Sequence, residues 1–329
     1  SHQSLWSNAE VLARSWSFTE EDVLIHALPI FHLHGLFTAM NVLLTAGASC
    51  IYLPKFEVEQ VLNVMPRSTV MMGVPPFYMA LLEDPRLGAA SNNMRVFISG
   101  SAPMLPQTHR AWQDKTGTMI LERYGMTECS MIASNPYAAE RRPNSVGFPL
   151  DGTELRITDM KTGTPLPRGE TGMIEIRGPN LFSGYFNKPE KTAEDMRGDG
   201  FFISGDFGRF DAQGYLHVLG RVKDAIFTKS GVVMPKEIEE WIDGQPGVAE
   251  SAVISVPHPD EGNVPVAMLV GSQLDLSAIA AAADRDLPVH KAPFRYVEVP
   301  ELPRNAMGKV QKAELRAANE NLLRGELVG

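Results

Sequence analysis

The chain has 329 residues, 44% hydrophobic and 21% charged, a composition that supports a buried core and, at about 150 residues per domain, roughly two domains. Thirty Lys and Arg stand against 39 Asp and Glu, a net charge of −9, which argues against a nucleic-acid backbone or an anionic membrane as the main partner. No apolar run approaches the ~20 residues of a membrane helix. Cys50 and Cys129 are too few for a disulfide framework or a four-thiolate zinc site.

In chain order, Val23–Ile30, Ala48–Leu53, Ser68–Gly73 and Met94–Ser99 are short apolar runs, the first two stopped by Pro29 and Pro54. Helical patterns lie between and after them at Val58–Val64, Phe77–Leu82 and Pro106–Thr116. Thr118–Glu122 predicts a further strand that runs into Tyr124-Gly125. Apolar strands alternating with helices predict a parallel sheet covered on both faces. From Gly147 the texture changes. Glu154–Asp159, Gly172–Gly178 and Tyr215–Leu219 read as strands joined by Gly, Pro and Asp turns, the spacing of a small barrel or sandwich. Past Gly220, Pro235 opens a helix over Lys236–Ile242, a position where its missing N–H costs nothing. A strand (Ala249–Val256), a helix (Leu276–Asp286), a strand (Phe294–Val299) and a terminal helix from about Lys309 follow. The expected organisation is an α/β portion over 1–148, a β-barrel-like subdomain over 149–220 and an α+β domain over 221–329.

Four segments carry more polar chemistry than scaffolding needs. Ile98-Ser99-Gly100-Ser101-Ala102-Pro103 runs an apolar strand into small residues, either a plain strand-to-helix turn or a close ligand approach at a parallel strand's carboxyl end. Glu122-Arg123-Tyr124-Gly125-Met126-Thr127-Glu128 gathers two acids, a cation, an aromatic and a hydroxyl just past a strand end. It is a solvated loop or a holder of a magnesium–phosphate unit, since magnesium takes oxygen ligands. Ser204-Gly205-Asp206-Phe207-Gly208, followed by Gly220-Arg221-Val222-Lys223-Asp224, places a carboxylate in a glycine turn. That suits a pair of ribose hydroxyls or an ordinary hairpin. Pro303 to Lys309 delivers a lysine on a glycine turn, solvated or aimed as a point charge at a reacting phosphate or carboxylate oxygen.

In this order and at these separations the four segments resemble the adenylate-forming superfamily of acyl-CoA synthetases, luciferases and peptide-synthetase adenylation domains. The resemblance runs from Ser1 to about Lys312, and its most diagnostic stretch is Tyr124–Glu128. It implies an α/β plus α+β fold: a large parallel-sheet N-terminal domain, here incomplete, a small β-barrel subdomain and a mobile C-terminal α+β domain. It further implies that Gly100, Ser101 and Ala102 lie along the adenine and the acyl group, and that Tyr124 stacks on adenine. Thr127 would contact the α-phosphate, Glu128 would bind Mg2+, and Asp206 and Arg221 would hold the ribose. Lys309 would stabilise charge as the carboxylate attacks the α-phosphate, and Lys223 would be the hinge of the mobile domain. ATP and CoA are the implied co-substrates.

Within the superfamily, Leu24–His32, His34-Gly35-Leu36-Phe37 and Leu121–Tyr124 look most like malonyl-CoA synthetases. Many acyl- and aryl-CoA synthetases carry a glycine just before the tyrosine, whereas here the residue is Arg123. A guanidinium beside the acyl pocket needs a partner, and the distal carboxylate of malonate supplies one bidentately. Removing one side of such a buried pair costs about 3–5 kcal/mol. The alternative is an internal pair with Glu122 or another acid. His32 matches the residue that gates the acyl tunnel. His34 is either a satisfied loop histidine or a neighbour of the substrate carboxylate. Two histidines at this spacing, with no third ligand suggested nearby, do not make a zinc site. The reading is thus an AMP-forming ligase joining malonate to CoA, with small-molecule partners and no nucleic acid or membrane. Methylmalonate or another short acid, or a silent adenylate-binding fragment, are the alternatives.

Two departures from the family pattern limit it. The family's phosphate loop belongs upstream of a Ser-His-x-x-Leu segment, and this chain opens on Ser1-His2-Gln3-Ser4-Leu5. Backbone N–H groups of such a loop hold the ATP β- and γ-phosphates. The expectation is that this stretch by itself turns over little or nothing and exposes apolar sheet surface. Close relatives carry paired glycines where this chain has Phe227–Met234, with one glycine at Gly231, and Asn263 follows Gly262 where glutamate is usual. These changes bear on thioester formation. A cytoplasmic location is expected, with upstream organellar targeting left open, and composition does not fix the oligomeric state.

Overall fold

Short apolar runs form the parallel half of a seven-stranded sheet, in a computed structural model that describes residues 1–305 and 309–323. The chain divides into two compact units, Ser1–Ser204 with Gly208–Val218, and Gly205–Phe207 with Leu219–Gly329. In the first, strands β1 (Val23–His26), β2 (Ser49–Tyr52), β3 (Val70–Gly73) and β4 (Val96–Ser99) pair in parallel with β5 (Leu121–Met126) in the order β2-β1-β3-β4-β5. The antiparallel strands β6 (Ser130–Ser134) and β7 (Phe148–Pro149) complete it. Every residue of β3 and β4 is buried, as expected for central strands covered on both faces.

The helices of this unit are α1 (His2–Ser15), α2 (Asn41–Ala46), α3 (Val58–Val64), α4 (Pro75–Leu82), α5 (Leu87–Ala90) and α6 (Pro106–Thr116). Proline opens α4 and α6 at the first turn, where its fixed φ favours entry. Tyr78, Phe97 and Trp112 meet edge-to-face with centroids 4.8–6.4 Å apart and anchor the core beneath the sheet. Helix α1 has no counterpart in the sequence reading. Its buried face carries Ser4 and Asn8, which interrupt the apolar period. Asn8 exchanges two hydrogen bonds with the Met131 backbone, at 2.6 and 3.1 Å, and Trp16 Nε1 donates to Ser134 Oγ at 2.9 Å.

The second sheet has the order β11-β10-β9-β8, from β8 (Glu154–Thr158), β9 (Gly172–Arg177), β10 (Phe202–Phe210) and β11 (Leu216–Arg221), with the short helix α7 (Pro189–Glu194) before β10. The glycine turn expected at Ser204–Gly208 is instead the middle of the nine-residue strand β10. Gly205 takes φ +72°, which glycine alone adopts at little cost, and a Cβ at Gly208 would overlap the His217 carbonyl and Ile174. Gly205 marks a left-handed backbone and Gly208 close packing, neither a reversal of the chain.

The second unit builds a five-stranded sheet from β12 (Ile226–Thr228), β13 (Gly231–Val233), β14 (Val248–His258), β15 (Gly262–Gly271) and β16 (Arg295–Glu298). Its helices are α8 (Pro235–Ile242), α9 (Leu276–Asp286) and α10 (Lys312–Asn319). The terminal helix starts at Lys312, not Lys309, and the glycine turn expected across Ala306-Met307-Gly308 lies outside the described residues. The stretch Phe227–Met234, where close relatives carry paired glycines, lies largely in the antiparallel hairpin β12–β13.

At the end of α8, Asp243 accepts from Ser251 Oγ at 2.7 Å. Burial pushes its carboxyl up to about 7, the Ser251 hydrogen bond opposes this, and the charges of Glu239, Glu250 and Glu240 push the same way as burial. The folded state therefore favours the protonated acid. Asp243 contributes stability that is fully present below its unfolded pKa of about 4 and is lost as pH rises through about 7. In pH-dependent denaturant melts, Asp243→Asn removes this dependence and stabilises the protein above pH 7 by on the order of 2 kcal/mol. An unchanged pH profile refutes the assignment.

Candidate active site

The carboxyl ends of β1, β4 and β5 bring one group of sequence-predicted residues together. Strand β5 runs parallel to β4 through the pair Ser99–Glu122, then antiparallel to β6 from Arg123, opposite Ser134. Arg123 thus stands where β5 passes from a parallel to an antiparallel neighbour, and ligands in open α/β sheets bind beyond the carboxyl ends of the strands. Gly100 directly follows β4. A Cβ there would overlap the Arg123 guanidinium, so the absence of a side chain is what admits the cation. Ser101, two residues past β4, holds φ +72°, a conformation that costs a non-glycine residue energy. Ala102 is half-buried beside it.

Arg123 is 4% exposed, and its Nε and Nη2 atoms have no hydrogen-bond partner. Burial pushes its pKa down to about 10, so it remains charged at neutral pH. Glu122 does not neutralise it. Adjacent strand residues face opposite sides, and Glu122 Oε1 is engaged by His109 Nε2 at 2.7 Å. Among the described residues, the internal pair considered from sequence is not formed.

Around Arg123 the sequence motif His32-Leu33-His34-Gly35 is not a loop throughout: His34 begins a π-helical turn, His34–Met40. Gly35 lets that turn start against the Pro29 carbonyl, which a Cβ would strike. His32 Nδ1 accepts from the His34 backbone N–H at 3.2 Å, which leaves the proton on Nε2 of the neutral ring. Burial, then the Arg123 charge, lowers the pKa of His32. The same causes, in the same order, hold His34 well below the usual histidine range, with His32 and His26 adding to them. His34 is fully buried with both ring nitrogens unpartnered, as are Ser99 Oγ and Thr38 Oγ1. Buried polar groups are normally paired, and an orphaned one costs about 1–3 kcal/mol. Ser99 is in register with Glu122 and so lies on the sheet face opposite Arg123, whereas Thr38, in the π-helical turn, was missed from sequence because a threonine in a helix carries no local signal.

The rest of the Tyr124–Glu128 segment divides between strand and turn. Tyr124, Gly125 and Met126 belong to β5, with a register shift between Tyr124 and Gly125, and only Thr127 and Glu128 lie in the turn to β6. Tyr124 packs, half-buried, against the cluster of Met126, Ile132 and Phe202. Thr127 is exposed. Glu128 is half-buried; its Oε1 accepts from Tyr185 at 3.0 Å and its backbone carbonyl from Phe182 N–H at 2.7 Å. Burial, then the Glu128 charge, raises the Tyr185 phenol, which keeps it a donor. No group of three or more His, Cys, Asp or Glu able to hold a metal occurs among the described residues. One carboxylate plus a hydroxyl still fits Mg2+, which takes one or two carboxylates and completes its shell from phosphate and water.

The second group lies in the second unit. Arg221 Nε meets Asp206 Oδ1 at 2.8 Å, with Asp206 only 4% exposed. Lys309 feels both of them, together with Lys223 and Asp224. Lys309 is exposed, yet desolvation by its neighbours and the Arg221 charge lower its pKa, Asp206 and Asp224 raise it, and Lys223 lowers it again. Arg316 Nη1 and Nη2 reach the Lys223 carbonyl and Asp224 at 3.5 and 3.3 Å, which fixes the segment after Arg221.

The family model for AMP-binding enzymes matches residues 1–186, and that for the AMP-binding enzyme C-terminal domain matches residues 237–309. The chain belongs to the AMP-binding enzyme family. It is 33% identical to the malonate–CoA ligase of Arabidopsis thaliana over 355 residues, covering 97% of this chain and 58% of that protein. A long-chain-fatty-acid–CoA ligase of Bacillus subtilis is 31% identical over 324 residues, covering 95% of this chain and 58% of that protein. Among solved structures, ATP-bound MatB from Rhodopseudomonas palustris superposes with a TM-score of 0.96 at 51% identity, covering 98% of this chain and 65% of that one. The fold is that of the adenylate-forming enzymes, and the chain spans less than two thirds of the length of these relatives.

A buried, unpaired cation weakens a folded protein, and sites that hold one trade stability for ligand binding. Arg123→Met is expected to stabilise the ligand-free protein by on the order of 1 kcal/mol in thermal or urea melts. A loss of stability instead shows that Arg123 is already satisfied.

Proposed function

We propose that this chain carries the acid-selecting and nucleotide-binding parts of an AMP-forming ligase that joins malonate to CoA. The observation that carries the reading is the pair of unpartnered Arg123 nitrogens. Nε and Nη2 present parallel N–H groups along one edge of the guanidinium, a fork matched to the two oxygens of a carboxylate. An uncharged acyl chain leaves that charge buried and unpaired, whereas the distal carboxylate of malonate resolves it. The neutral His34 ring offers that carboxylate a further N–H donor. His32 stands at the mouth of the acyl site. The name of the Arabidopsis relative supports the same substrate.

The chemistry divides over the two groups of residues. Gly100, Ser101 and Ala102 line the adenine and the acyl group, Tyr124 stacks on the base, and Asp206 and Arg221 take the ribose hydroxyls. Thr127 donates to the α-phosphate, and Glu128, oriented by Tyr185, holds Mg2+, which when bound neutralises phosphate charge. Lys309 stabilises the charge that develops as a malonate oxygen attacks the α-phosphorus and pyrophosphate leaves. Rotation at Lys223 then withdraws Lys309, the CoA thiol attacks the acyl carbon, and AMP leaves.

AMP release from the full-length protein with ATP, Mg2+ and CoA tests this, using malonate, methylmalonate or acetate in turn. Release is expected to be far faster with malonate than with acetate, and Arg123→Gly lowers malonate kcat/KM by about two decades or more while sparing the slow reaction of acetate. Equal losses for both acids would sink the carboxylate pairing. Release with acetate alone keeps the ligase chemistry and discards the dicarboxylate, and silence with every acid favours a protein that only binds adenylate.

A further inference from the structure

On the face of β5 opposite Arg123, one buried carboxylate holds three elements together. Glu122, 5% exposed, accepts from His109 Nε2 of α6 at 2.7 Å through Oε1, and from the Met104 backbone N–H at 3.3 Å through Oε2. Its carbonyl accepts from the Asn135 N–H at 2.9 Å and from Asn135 Nδ2 at 3.3 Å. Met104 ends the segment that begins at Gly100, the residue packed against the Arg123 guanidinium, and that segment contains the left-handed Ser101. His109 is 2% exposed and Asn135 2%, so water does not compete for these bonds. A strained backbone persists only where its surroundings over-determine it. Glu122 supplies that restraint from one side and fixes the strand immediately before Arg123 from the other.

We infer that Glu122 and His109 are positioning residues for acid selection: their pair sets the distance between the Gly100–Ala102 segment and the Arg123 fork, and so the preference for a dicarboxylate over a monocarboxylate. The inference rests on Arg123 receiving the distal carboxylate. Precision of this kind matters because misplacing a charged pair by about 1 Å can cost on the order of a hundredfold in rate. Neither residue touches the substrate; both act through backbone.

The experiment compares kcat/KM for malonate and for acetate in the full-length protein and in Glu122→Gln, His109→Leu and His109→Gln, with a thermal melt of each. Glu122→Gln keeps shape and size, and a glutamine at 109 can still donate to Glu122 from a position near that of Nε2. The malonate-to-acetate ratio is expected to fall at least tenfold in Glu122→Gln and His109→Leu, through a raised KM for malonate, and to be retained in His109→Gln. A lower melting temperature with an unchanged ratio overturns the inference and leaves a purely structural pair, as does an unchanged ratio with unchanged stability. Should His109→Leu fail to fold, Glu122→Gln against His109→Gln decides alone. If the parent protein itself shows no preference for malonate, the carboxylate-pairing reading falls and this inference falls with it. A parent that prefers malonate alongside variants that keep the preference removes only the positioning role.

Discussion

A guanidinium held out of water beside two neutral imidazoles is the constraint around which the first unit is arranged. Isolated charges in protein interiors cost several kcal/mol each, and Arg123 has neither a carboxylate on its Nε and Nη2 nor solvent around it. The surroundings do not relieve that cost; they preserve it. Glu122 is drawn away to His109, the imidazoles of His32 and His34 are kept neutral, and Gly100 leaves just enough space for the side chain. Such a site is incomplete by design and gains on meeting an anion.

The change of strand sense at β5 makes this possible. Parallel strands end together, and their carboxyl edge is lined with backbone and small side chains. Because β5 leaves its parallel neighbour after Glu122 and pairs with β6 instead, the β4 extension at Gly100 is no longer committed to a ladder. The backbone there can turn across the cation. Helix α1, clamped to β6 by Asn8 and Trp16, stiffens the partner strand opposite Arg123.

Much of this was legible in the sequence where the signal is local. Val58–Val64, Pro106–Thr116 and Leu276–Asp286 carry a helical period bounded by proline, glycine or aspartate, and the observed helices have those bounds. Arg123 stood out because this chain places a cation just before Tyr124, where many acyl- and aryl-CoA synthetases carry a glycine. What escaped notice depends on partners distant in the chain. Ser4 and Asn8 look like surface residues until β6 is laid against them. Glycines inside β10 read as a turn because sequence does not reveal that His217 and Ile174 press on Gly208. The His109–Glu122 bond spans 13 residues and two kinds of element, and no spacing rule joins them.

Gly125 is the centre of the segment most characteristic of the family, yet its reason for being glycine has nothing to do with nucleotide. It sits at the register shift between β5 and β6, and any side chain there would enter the Ser130 carbonyl and Met131. The middle of the Tyr124–Glu128 stretch is therefore fixed by sterics, independently of the chemistry proposed for its ends. A descendant that lost its ligand and drifted to a new role would be free to change Thr127 and Glu128, but would keep Gly125 for as long as it kept the sheet. Gly125 is thus held by the architecture of the sheet, whatever ligand the residues beside it meet.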